Sequence, residues 1–251
     1  MAKQSAATNE TQDGGEVTLT ALLSQRPAMK RFSFWIVGMT PLICHAWSEK
    51  ARRQMLEKHV KATKAGKEIR DPHDEFMRSL YHLEDGSYGF PAMAVKKCIW
   101  QAAHKDKGIT KTAIQGGFWI DAEWQQVRPA LAGAACNMPI CRIYGSDPEM
   151  REDMVKIGSG LTKTAALAYR GSFNIWAMKI NGRINPAVLT AEALGAMIAD
   201  SGMAVGIGEW RNDKMGMFGA FRLAEPYEEE AWDAFAAGTG PLPEFYKEAA
   251  E

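Results

Sequence analysis

The chain is poor in the residues that mark a metal site, a disulfide scaffold or a familiar active site. Of its 251 residues only four are cysteine, and no Cys-x-x-Cys pair occurs; Cys136 and Cys141 are the closest two, with Cys44 and Cys98 far from them. That spacing argues against a zinc knuckle and for reduced thiols in a cytosolic setting, not a disulfide framework. The five histidines, His45, His59, His73, His82 and His104, have no metal-ligand spacing, so no metal and no cofactor are expected. Walker A, HExxH and GxSxG patterns are all absent. No apolar run approaches the roughly 18 residues of a membrane span, and the polar opening from Met1 to Glu16 lacks the apolar core of a secretory leader. The expectation is a soluble, cytoplasmic protein. An excess of either charge is also missing: 30 basic residues balance 30 acidic ones, which excludes a uniformly basic nucleic-acid coat but not local patches.

The charge that is present is unevenly spread. Lys50, Arg52, Arg53, Lys58, Lys61, Lys64, Lys67 and Arg70 make a basic stretch, whereas the chain from Glu225 onward holds eight acidic residues and only Lys247 as a basic one. These segments read either as two solvated faces or as complementary contact surfaces. Residues 1–16 read as a disordered arm, 17–225 as one domain with an insertion at about 122–160, and 226–251 as an acidic tail.

Aromatic and β-branched residues over Arg31–Val37 predict a strand. Ser48 is a suitable N-cap for a basic helix to about Lys64, and Asp74 for a short helix through Leu80. A helix is predicted from Ala92 to about His104, with Val95, Cys98, Ile99 and Ala102 on its apolar face. Short strands follow at Phe118–Ile120 and Phe173–Ile180, the latter closed by an Asn181-Gly182 turn. Thr190 should cap a helix over Ala191–Ala199, with Gly202 stopping it in the left-handed conformation. A strand at Phe218–Leu223 completes a strand–helix–strand half of ferredoxin-like outline.

Between that helix and strand lies a segment with Gly202, Gly206, Gly208, Gly216 and Gly219. It follows a helix where a dinucleotide fingerprint would precede one, so a Rossmann site is not indicated. Glycines permit close approach to a ligand, Trp210 offers a stacking face, and Arg211 and Lys214 offer charge for phosphate; single-strand binding uses this combination. The competing reading makes Trp210 a core residue, pairs Arg211 with Glu209 or Asp213, and leaves the glycines to form turns. His45 reads as a buried core histidine or as a general base for RNA cleavage.

Three segments carry a family resemblance: YGFPAMAVKKCIWQAA at 88–103, LAYRGSFNIWAMKI at 167–180 and SGMAVGIGEWRNDKMGMFGAFRL at 201–223. Their content and order resemble Cas7-like proteins of the RAMP superfamily, of the type encoded by bacteriophages and prophages. The resemblance implies an α+β chain with a modified RRM or ferredoxin-like fold: an antiparallel sheet, helices on one face, and a long insertion. It further implies oligomers winding along single-stranded RNA or DNA, in a bacterial host cytoplasm if phage-encoded. The strand would then face the glycine-rich loop, Lys96 and Lys97, and the chain near Arg170.

The functional expectation is a non-catalytic, self-assembling protein that binds single-stranded nucleic acid. Its contacts would be Lys96, Lys97, Lys163, Arg170, Gly206, Gly208, Trp210, Arg211 and Lys214. Two alternatives stand beside it: a phage structural or protein-interaction subunit joined through the acidic tail and basic helix, and a metal-independent endoribonuclease using His45 or His104.

Overall fold

The computed structural model describes residues 28–46, 70–103, 109–126, 137–157 and 164–243. The expected arm at 1–16, the basic helix at 48–64, Cys136, His59, His104 and Lys163 lie outside these residues.

The architecture is α+β, with antiparallel sheets and five helices among the described residues. Its centre is a sheet ordered β12–β1–β11–β5, formed by Phe221–Leu223, Lys30–Gly38, Trp176–Ile184 and Phe118–Ile120 respectively; β8 (Tyr144–Gly145) pairs with the other end of β11. Strands β11 and β12 both run antiparallel to β1, which separates them. They are therefore parallel to each other, and α4 (Ala191–Ala204) connects them as a split βαβ unit. Side chains alternate across a strand, so Ile36 joins the main core while Trp35 and Val37 face the opposite side. Helix α2 (Ala92–Ala102) and α4 cover the main-core face, contributing Val95, Cys98 and Ile99 from one and Leu194, Met197 and Ile198 from the other.

The opposite face is covered by α5 (Pro226–Ala236), built from the residues that read as an acidic tail. Its Trp232 is fully buried and stacks on Trp35, with ring centroids 5.8 Å apart. Glu228 is buried because Arg222 grips it through two bonds of 2.5 Å, and its side chain also accepts from the Glu225 backbone in a capping box. The described part of this acidic segment is thus folded onto the sheet, which adds a helix to the face expected to be bare.

Two smaller sheets flank the centre. One is β2–β10–β9, made by Leu42–Cys44, Thr164–Phe173 and Glu149–Ile157. Helix α1 (Pro72–Ser79) packs against β10, where Leu80 occupies the space that a Gly171 side chain would need. The other is β3–β4–β7–β6, made by Tyr81–His82, Tyr88–Pro91, Asn137–Arg142 and Glu123–Gln126. The described parts of the stretch at 122–160 therefore supply strands to all three sheets (β6 and β7, β8, and β9).

Several local expectations need correction. Asp71, not Asp74, caps α1, its carboxylate accepting from the His73 N–H at 2.9 Å. Phe173 ends β10, and a bend at 174–175 precedes β11, so Phe173–Ile180 is two strands. Asn181-Gly182 is no turn but lies inside β11; Gly182 is there because a Cβ would come within 2.3 Å of the Phe32 ring across the ladder. Gly202 does not stop α4. It is buried within the helix where a Cβ would sit 1.8 Å from the Phe221 carbonyl oxygen, and the helix runs on to Ala204.

Candidate functional site

Helix α2 and the turn that follows α4 enclose a cleft of about 230 Å³. From α2 come Lys97, Cys98 and Gln101; Lys97 and Gln101 are one turn apart and share a face. The turn contributes Gly206, Ile207, Gly208, Glu209 and Arg211, while Tyr81, Phe90 and His45 complete the walls.

The turn is knitted into the protein, as the competing reading of its glycines as turn formers expects. Ile207 N–H donates to the Gly219 carbonyl at 2.9 Å, Glu209 N–H to Ile43 at 3.0 Å, and Gly219 N–H to Pro41 at 2.9 Å. Gly206, Gly208 and Gly219 have φ of +70°, +82° and +65°. Their missing side chains admit neighbouring backbone: a Cβ on Gly219 would lie 1.7 Å from the Ile207 oxygen, and one on Gly208 would lie 2.6 Å from the Ile43 oxygen. These glycines serve close passage of the chain past itself. Trp210 and Met215 take the same left-handed conformation without being glycine, at φ 53° and 60°. Both direct large apolar side chains outward, Trp210 being 39% and Met215 96% exposed. Trp210 is therefore no core residue.

The cations in and around this turn are partly neutralised. Arg211 donates to the Gly208 carbonyl at 3.1 Å and to Asp213 at 3.2 Å, and Lys214 lies 3.4 Å from the same Asp213 carboxylate. Arg170 is only 7% exposed; its Nη1 lies 3.5 Å from Asp153, and its Nε and Nη1 have no hydrogen-bond partner among the described residues. That burial sets Arg170 apart from the more exposed cations of the turn. Lys97 is exposed and has no ion-pair partner among the described residues. Lys96 is half-buried on the other side of α2, bonded to the Gln115 carbonyl at 3.2 Å and 5.2 Å from the Phe118 ring centre; burial lowers its pKa.

The structure thus brings Lys97, Gly206, Gly208 and Arg211 together in one cleft, with Trp210 and Lys214 on the continuing turn, while Lys96 and Arg170 stand apart. It also adds a pair that the sequence reading missed. His45, expected in the core, is exposed in the cleft wall, and its Nδ1 lies 3.2 Å from Glu209 Oε1. That hydrogen bond, ahead of the opposing effect of burial, holds the Glu209 carboxyl below its ordinary range. A separation of 164 residues hides the pair from any local pattern; the backbone bond between Glu209 and Ile43 brings the two segments together.

Thiol chemistry finds no support here. Burial pushes Cys98 and Cys141 up to about 12 and raises Cys44 further, so all three remain protonated at neutral pH. Among the described residues no cluster of histidine, cysteine or carboxylates suits a metal ion, and no helix is long and apolar enough to cross a membrane.

No family model matches the chain, and no curated protein matches it. Among solved structures it is similar to one described as the crystal structure of Cmr6 from Pyrococcus furiosus, with a TM-score of 0.38 and 8% identity, covering 78% of this chain and 99% of that one. A likeness of that size carries no argument about function, which is left to the cleft itself.

Proposed function

We propose that the chain binds single-stranded RNA or DNA across the cleft between α2 and the 206–211 turn, without cleaving it, and self-assembles along the strand. The supporting observation is the convergence in one cleft of Lys97, Gln101 and Arg211 with the half-buried ring of Tyr81. An exposed lysine supplies attraction for a phosphate backbone, an amide supplies donors and acceptors, and the tyrosine ring suits an unstacked base. Trp210, exposed beside Arg211, extends the stacking surface. Duplex is a poorer fit, because its bases are already stacked on one another.

Lys97→Glu tests the assignment. The side chain is exposed on α2, so the fold should survive, and affinity for a single-stranded oligomer should fall about tenfold with a shallower salt dependence. An unchanged binding curve would remove the cleft from the proposal.

One observation favours a second reading. The His45–Glu209 pair lines the cleft, and an imidazole held by a carboxylate is an arrangement suited to proton transfer. Metal-independent cleavage of RNA at this position would draw on it. Recovery of intact RNA after prolonged incubation rejects that reading; cleavage abolished by His45→Ala would establish it.

A further inference from the structure

Helix α3 (Lys111–Gly117) lies beside α2 and forms a second concavity with it, on the other side of Lys97 from the cleft. This groove has a volume of about 300 Å³ and an apolar floor of Met93, Trp100 and Ile114. Ligand pockets commonly begin at about that size. Lys96 and Lys97 stand on its rim, and Lys111 lies 4.7 Å over the Trp100 ring. Lys96 is also 5.3 Å from the ring of Trp119, itself 53% exposed. No carboxylate among the described residues lines the groove. The indole N–H of Trp100 is buried with no acceptor, a polar group whose bonding capacity the described chain leaves unused.

We propose that this groove is a second base-binding subsite, taking a nucleobase of the same single strand while Lys97 and Lys111 hold the flanking phosphates. The inference rests on the nucleic-acid reading of the cleft and extends it across α2. Charge selects an anionic occupant, since the rim is cationic and no acidic group among the described residues lines the groove. Aromatic and thioether groups select an occupant with a flat, weakly polar face. A nucleotide combines the two. Continuity decides between a nucleotide and an acidic peptide: Lys97 belongs to both concavities, so a strand leaving the cleft reaches the groove by crossing one helix, a width of about 10–12 Å.

The test compares a short oligomer of about 4 nucleotides with a long one of about 16, within the span of known single-strand sites. Oligo-U and oligo-dT are titrated by fluorescence anisotropy against the full chain and its Met93→Glu, Lys111→Glu and Lys97→Glu variants. Met93 is 69% exposed, so its replacement leaves the core intact. Met93→Glu and Lys111→Glu should each weaken the long oligomer about tenfold and leave the short one unchanged, whereas Lys97→Glu should weaken both. If the first two variants bind both lengths as wild type does while Lys97→Glu does not, the groove proposal is overturned and the cleft stands. Equal losses on both lengths also overturn it, since the groove would then have no separate nucleotide. Failure of wild type to bind either length removes the underlying reading. A polyglutamate peptide that binds wild type but not Met93→Glu, with oligomer binding unaffected, would assign the groove to an acidic protein segment and overturn the proposal.

Discussion

Asp213 controls how much positive charge the turn presents. One carboxylate lies 3.2 Å from Arg211 and 3.4 Å from Lys214, so the cleft-lining arginine and the lysine beyond it share a single counter-charge. Asp213→Asn should release both and raise oligonucleotide affinity several-fold at low salt, steepening the salt dependence by as much as 0.7 per additional phosphate neutralised. Anisotropy titration over a salt series reads both quantities; a variant that binds more weakly than wild type would show that Asp213 shapes the turn instead of screening it. The same residue explains why Arg211 is a poor target for charge reversal. Its guanidinium also holds the Gly208 carbonyl, so replacing it disturbs the turn as well as the charge. At this scale the sequence was informative about chemistry and local pairing, and silent about distant partners. Lys97 and Gln101 share a helix face that spacing alone reveals, and Asp213 is within local reach of Arg211. The partners of His45 and Arg170 come from distant segments, Glu209 and the β9 strand, which no periodicity brings together.

Among the elements, α2 was readable from its helical period and β1 from its run of aromatic and β-branched residues. The errors cluster at glycines. Gly182 and Gly202 look like punctuation, yet each sits inside a regular element and makes room for another, Phe32 in one case and the β12 backbone in the other. A missing side chain marks crowding as readily as it marks a turn, and the sequence does not separate the two. Helix α5 misleads for a different reason. Its carboxylates suggest a solvated tail, but Trp232 is the anchor and Glu228 is buried against Arg222. The pairing lowers the Glu228 pKa, so its contribution to stability is present above the unfolded value of about 4.3 and is lost as pH falls through the depressed folded value. Urea midpoints should therefore decline between about pH 5 and pH 3 more steeply for wild type than for Glu228→Gln, which itself should be less stable at pH 7 by about 1–3 kcal/mol. Parallel declines would mean that the pair contributes nothing that titrates.

For the whole molecule, a balanced formal charge hides an asymmetry among the described residues. Helix α5 puts acidic residues on one side of the central sheet, whereas α2, with Lys96 and Lys97, lies on the other. Under the proposed function a polyanion approaches from the α2 side without the chain as a whole being basic. The fold class was readable from the order of strand and helix signals. The three-sheet arrangement was not, because the strands between residues 122 and 160 run from two to nine residues, β7 carries Pro139 within it, and they are distributed among different sheets. The most direct test of the central claim is one titration of wild-type protein with single-stranded RNA, single-stranded DNA and duplex of equal length, at about 50 and 200 mM salt. The account predicts saturable binding of single strands that weakens sharply at the higher salt, with duplex bound more weakly throughout. Absence of single-strand binding at the lower salt, or binding indifferent to salt, would contradict it.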